Sequence, residues 1–147
     1  MICCDTNILF IALEKTRPGH LKARKFLETH AGNSDFAVCE LVLLELYTLL
    51  RNPVIAEHPL SAAKAVELIS ALRRNRHWDV LDYPGPASGI MSELWKLAAT
   101  TGFARRRVFD ARIALTLRHH GVTEFATANV EDFRGFGFKR VWNPLKQ

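Results

Sequence analysis

Three carboxylates stand in three of the most apolar stretches of the chain. Asp5 lies in Met1-Ile2-Cys3-Cys4-Asp5-Thr6-Asn7-Ile8-Leu9-Phe10, Glu45 in Leu43-Leu44-Glu45-Leu46-Tyr47, and Asp110 in Val108-Phe109-Asp110-Ala111-Arg112-Ile113-Ala114-Leu115. An isolated ionised carboxylate in such surroundings costs several kcal/mol even after relaxation, so each needs a partner or a proton. One shared divalent cation would meet that need for all three, and hard cations such as Mg²⁺ and Mn²⁺ take oxygen ligands from carboxylates, waters and substrate phosphates. The chemistry of such a site is phosphodiester hydrolysis: the metal lowers the pKa of a bound water, and a second ion roughly 3.5 to 4 Å away can stabilise the leaving oxygen. Separate partners are the alternative. Asp-Thr-Asn is a good helix N-cap string, Arg107 or Arg112 could pair with Asp110, and a distant Lys or Arg with Glu45.

Other residue types offer less. No motif supports Ser-His-Asp catalysis and no Gly-rich phosphate loop is present. His119 and His120 close a helical pattern, where histidine suits the dipole. Glu40 precedes Glu45 by five residues, roughly 140° around a helix, and so falls outside its site. Cys3, Cys4 and Cys39 are odd in number, sit in apolar segments and lack metal-ligand spacing, which reads as reduced core thiols.

A chain of 147 residues with 48% hydrophobic and 24% charged residues is expected to form one domain with a real core, neither disordered nor membranous. No apolar run reaches the roughly 18 residues of a membrane span and no basic stretch precedes the first apolar residues, so a cytosolic protein is expected. The formal charge of +5 is gathered in clusters at Lys22, Arg24 and Lys25, at Arg73, Arg74 and Arg76, at Arg105, Arg106 and Arg107, and at Lys139 and Arg140. Any one of these could be a solvated face; together they favour nucleic acid as a partner.

The elements that must position the acids follow from periodicity. Residues 2–4 read as a short buried strand, placing Asp5 at its carboxyl end, the edge where open α/β sheets bind ligands. An apolar helical stretch follows, Arg17-Pro18-Gly19 breaks it, and an amphipathic helix covers 21–30. Residues 36–39 form a second strand, and 41–50 a helix apolar nearly all round, which would bury Glu45 on most faces. A loop over 53–60 leads to a helix capped by Ser61 and running to 74, then a strand over 78–83. Pro84-Gly85-Pro86 reads as a surface turn. Helices over 87–100 and 108–120 follow, the second closed by Gly121. A strand at 123–126, a loop over 127–134 and a last strand at 138–142 complete the pattern. Strands alternating with helices predict a largely parallel sheet covered on both faces.

With the loop Thr127-Ala128-Asn129-Val130-Glu131-Asp132-Phe133 and the terminal Val141-Trp142-Asn143-Pro144 added to the three acidic segments, the chain resembles a PIN-domain nuclease of the VapC type, the toxin of a toxin-antitoxin pair. The resemblance implies an α/β three-layer fold, a parallel sheet of four or five strands flanked by helices, usually in a homodimer. It implies a ribonuclease that hydrolyses RNA with a metal-activated water, Mg²⁺ or Mn²⁺ as cofactor, and restraint by a small cognate antitoxin. Position by position it makes Asp5, Glu45 and Asp110 the acidic metal ligands, with Thr6 beside the first.

The family's fourth acidic position falls at Asn129, a departure: an amide can ligate through its carbonyl but brings no charge. Asp132 is the candidate to compensate, or a loop carboxylate capping its own backbone. Arg105, Arg106, Arg107 and Arg112 are the candidates to hold the RNA backbone. Two rivals stand beside this reading. One is a phosphatase with a strand-end aspartate nucleophile, which normally has a second aspartate where Asn7 stands. The other is a catalytically silent RNA-binding or partner-binding module.

Overall fold

The computed structural model describes residues 1–146. Five strands form one parallel sheet: β1 (Ile2–Cys4), β2 (Phe36–Cys39), β3 (Asp79–Leu81), β4 (Glu124–Ala126) and β5 (Arg140–Trp142), in the spatial order β3-β2-β1-β4-β5. β1 is central because Cys3 and Cys4 are wholly buried between β2 and β4, and a strand covered on both faces has no polar side to show. The seven helices are α1 (Thr6–Leu13), α2 (His20–His30), α3 (Glu40–Arg51), α4 (Ala62–Arg73), α5 (Ile90–Ala98), α6 (Arg107–His119) and α7 (Val130–Phe133). The chain winds outward through β2 and β3, then returns through β4 and β5. Right-handed crossovers therefore put α1 to α4 on one face and α5 to α7 on the other, and the helix contacts divide the same way. The main core covers both faces of the sheet around Phe36 and Phe125, with Ile8, Leu9, Val42, Leu43 and Leu46 from the first group and Ile113, Leu117 and Phe133 from the second. A smaller cluster joins Ile90 and Leu94 of α5 to Ala111 and Leu115 of α6.

The expected α/β three-layer architecture is the one found. Three local expectations need correction. Residues 127–134 are not all loop, since α7 turns within them. The helix expected over 87–100 starts only at Ile90, after a separate 3₁₀ turn at Pro86–Ser88; Gly89, at φ 75°, lets the chain change direction between the two. α3 is also not buried all round. Leu44 is 64% exposed and Glu45 is exposed, so the apolar composition overstated the burial of that helix. Its buried stripe is Val42, Leu43, Leu46 and Leu50, the helical spacing of one face.

Candidate active site

All four acids under consideration come from segments that end or begin at the carboxyl edge of the sheet. Asp5 follows β1, and its backbone N–H donates to the Ala126 carbonyl of β4 at 2.9 Å, locking the strand end in place. Its side chain is 6% exposed and caps α1: Oδ1 accepts from the Thr6 N–H at 2.8 Å. Oδ2 accepts from Asn7 Nδ2 at 2.7 Å and from the Thr127 hydroxyl at 2.6 Å. Capping and site membership are thus not alternatives at Asp5; the cap fixes the carboxylate whose second oxygen the site holds.

Thr6 joins the first acid to the second. Its hydroxyl donates to Glu45 Oε2 at 2.7 Å while its amide holds Asp5. Glu45 reaches this point from α3 with its side chain exposed, so the cost of burying a charge, invoked for all three acids, applies in full only to Asp5. Asp110 is half-buried in the first turn of α6, where the helix dipole favours a negative charge.

The acids act on one another through their charges. Burial pushes the Asp5 carboxyl up to about 6 against the lowering effect of its Thr127 and Thr6 hydrogen bonds, and the Glu45 and Asp110 charges push in the same direction. Asp110 is raised by burial first, then by the Asp132 and Glu45 charges, with Arg107 opposing. None of Asp5, Glu45, Asp110 or Asp132 forms an ion pair among the described residues. The reading in which each acid owns a Lys or Arg therefore fails. Arg107, the candidate partner of Asp110, instead donates through Nη2 to the Arg134 carbonyl at 3.3 Å and packs over the Phe103 and Phe136 rings.

Asn129 and Asp132 divide differently from the expectation. The Asn129 backbone N–H donates to the Thr127 hydroxyl oxygen at 3.0 Å, and its side chain stands exposed with no capping bond to α7. Asp132 caps no backbone group among the described residues; its charge acts on Asp110. Both line an open cleft of about 540 Å³ that runs past Trp142 to Lys146. Arg105 and Arg106 are exposed before α6, and Arg112 is exposed over the Tyr83 ring at 5.7 Å.

Two positioning residues escaped the sequence reading. Asn7 donates to Asp5 and receives the Ala128 N–H at 3.0 Å on its own Oδ1, and the wholly buried Thr127 holds Asp5 from the residue just after β4. The signal was in the string Asp-Thr-Asn, whose third residue has a carboxamide able to serve both strand ends at once.

The donor set suits a hard divalent cation. It is all oxygen and carries four negative charges when ionised, and among the described residues none of the four is in an ion pair, Arg107 acting on Asp110 only from a distance. Among the described residues no three His, Cys, Asp or Glu side chains are grouped closely enough to hold a metal ion by themselves.

A family description, "PIN domain", matches residues 2–139. The chain belongs to the PIN-domain family. Within it the chain is of the VapC type: it is 53% identical over 145 residues, 99% of this chain and 97% of the relative, to Ribonuclease VapC24 of Mycobacterium tuberculosis, in strains CDC 1551 / Oshkosh and H37Rv. The PIN fold recurs in two solved structures. FitAcB from Neisseria gonorrhoeae is 22% identical with a TM-score of 0.64 and all of both chains covered. VapC20 of Mycobacterium tuberculosis, a toxin that cleaves the sarcin-ricin loop, is 16% identical with a TM-score of 0.63, covering 85% of this chain and 87% of that one.

Proposed function

We propose that this PIN-domain chain is a metal-dependent endoribonuclease, the toxin of a VapBC-type pair, with one nuclease domain over residues 1–147. The observation that carries the proposal is the convergence of Asp5, Glu45, Asp110 and Asp132 at the carboxyl edge of the sheet with no ion-pair cation among the described residues. Asp5, Glu45 and Asp110 would hold Mg²⁺ or Mn²⁺, with Asp132 and, more weakly, the neutral Asn129 completing the set. When bound, such an ion supplies an acidified water and neutralises charge on the scissile phosphate. Thr6 fixes the spacing of Asp5 and Glu45 by donating to both. Asn7 and Thr127 both donate to Asp5 Oδ2 and so aim that oxygen, and Arg105, Arg106 and Arg112 face solvent where an RNA backbone could lie. A cytoplasmic homodimer restrained by a small antitoxin is the assembly this family membership supports; among the described residues no helix is long and apolar enough to cross a membrane.

The phosphatase reading loses ground on geometry. Asn7 occupies the place of the second aspartate and spends its amide on Asp5, whose buried carboxylate already accepts three hydrogen bonds and is a poor nucleophile. Incubating bulk RNA with the protein in Mn²⁺ and in EDTA tests the proposal: cleavage in Mn²⁺ alone is expected. RNA bound but uncut in both would make the chain a silent binding module.

Two further outcomes are expected. Replacing Arg105 and Arg106 by Glu should raise KM for RNA about tenfold with little change in kcat, because two phosphate contacts are lost while the acids keep their places. Arg107 is left out of that pair because it holds the Arg134 carbonyl. Asp132→Asn should lower activity at limiting Mg²⁺ more than at saturating Mg²⁺, and Asn129→Asp should restore it. If Asn129→Asp changes nothing in the Asp132→Asn background, the two positions do not share a role.

A further inference from the structure

A second depression lies at the opposite end of the sheet. Ile2, Glu124 and Arg140 share one row of the register at the amino ends of β1, β4 and β5. The α2 stripe of Lys22, Lys25 and Phe26 faces them across a cavity of about 410 Å³. That volume is in the range of small-molecule sites, about 300 to 1,000 Å³. Its lining combines a flat aromatic surface with free cations. Trp142 meets Phe26 edge-on at 6.2 Å and carries the Arg140 guanidinium over its ring at 4.4 Å. Glu124, 3.6 Å from Arg140, is the single carboxylate against three cations. Lys22 and Lys25 are exposed and form no ion pair among the described residues.

The feature that gives this pocket a direction is Trp142, which borders both it and the cleft lined by Asn129 and Asp132. β5 is an edge of the sheet, so the two depressions meet around an open margin and lead from the acid cluster to α2. We infer that the α2–β5 pocket is a second RNA subsite, taking backbone phosphates on Lys22 and Lys25 and a base against the Arg140–Trp142 stack. The inference rests on the nuclease reading for its ligand. A positive groove with an aromatic platform is how single strands are held irrespective of sequence, and an acidic peptide would leave the stacked indole unused. Trp142 shares the register row of Ala126 and Cys4, next to Asp5, and lies two strands out from β1, about 10 Å at ~4.8 Å per strand. At ~3.4 Å per stacked nucleotide, the bound base lies some three or more nucleotides from the scissile bond.

The test is titration of the full-length chain in EDTA with a fluorescein-labelled oligoadenylate of about twelve nucleotides, long enough to span both depressions. For Lys22→Ala with Lys25→Ala, the slope of log K against log salt should flatten by about 1.4, two phosphates at ~0.7 each. That is a loss of roughly 25-fold at about 0.1 M salt, vanishing near 1 M. Arg24→Ala, on the same helix but paired with Glu28 at 2.8 Å, should leave the slope alone. An unchanged slope in the double variant overturns the subsite. So does an equal loss for Arg24→Ala, which would mean diffuse attraction, or a loss confined to a poly-glutamate probe. Cleavage of bulk RNA by the unmodified protein in Mn²⁺ is read in parallel. Its absence sinks the nuclease reading, whereas the EDTA slopes still decide the subsite.

Discussion

Glu45→Gln and Asp110→Asn should each lower metal-dependent RNA cleavage by about 100-fold or more while leaving the thermal midpoint of the EDTA-treated protein unchanged or higher. A divalent ion contributes several kcal/mol of charge stabilisation, and each 1.36 kcal/mol is tenfold in rate, so losing one of its anionic ligands should cost at least two decades. Stability should not follow activity down. Glu45 is exposed and Gln retains a carbonyl to accept the Thr6 hydroxyl. Asp110 is repelled by Asp132 and Glu45, and a neutral amide removes that repulsion. Cleavage assays paired with thermal unfolding separate the two quantities. Marked destabilisation of both variants would mean that the acids hold the fold together, and the site reading would be lost.

Stability of the EDTA-treated protein should fall as pH rises from about 4 to about 6 and then level off. Asp5 titrates near 6 in the folded chain against an ordinary value of 3.8, so between those values the native state binds the extra proton and unfolding becomes easier as that proton is lost. A shift of this size corresponds to about 3 kcal/mol, or roughly 6 to 12 °C in midpoint for a domain of this length. The difference between the unmodified protein and Asp5→Asn reports the Asp5 titration together with its coupling to the neighbouring carboxylates, and cancels the groups that do not interact with it. Asp5→Asn is not expected to be simply stabilising. Its new amide would meet the Asn7 amide, and Asn7 cannot turn over without losing the Ala128 N–H. Thr127→Val should move the window upward, since the hydroxyl that lowers the Asp5 pKa is gone, and should cost about 1 to 3 kcal/mol for the hydrogen bond removed. A midpoint difference independent of pH would rule out Asp5 as the titrating group.

The sheet was legible in the chain because its strands are short apolar runs between turn signals, and β1, β2 and β4 fall within the residues where periodicity put them. The acids were legible too, as charges out of place in apolar company. The reason offered for them was only partly sound. α3 carries more leucine than its one buried face can use, and Leu44 stays 64% exposed beside Glu45; composition cannot tell a buried helix from one whose apolar surplus faces outward. Asn7 and Thr127 stayed hidden because their role depends on side chains meeting across 120 residues, which no local pattern encodes. Arg107 looked like its neighbours Arg105 and Arg106, but only a folded structure shows that it turns back over Phe103 and Phe136. α7 was missed because four residues are too few to display a helical period.

The central place of β1 bears on when the protein becomes dangerous to RNA. β1 pairs on one side with β2 but on the other with β4, and Thr127 closes on Asp5 across a separation of 122 residues. Contacts so distant along the chain form slowly, because loop closure must precede any gain from them. A nascent chain that has emerged only through α5 has Asp5 and Glu45 but neither the hydroxyl that aims the one nor the Asp110 and Asp132 that complete the set. The proposed metal site is therefore assembled only after β4 and Thr127 have been made. An inhibitor made alongside it gains a grace period set by the topology of the sheet.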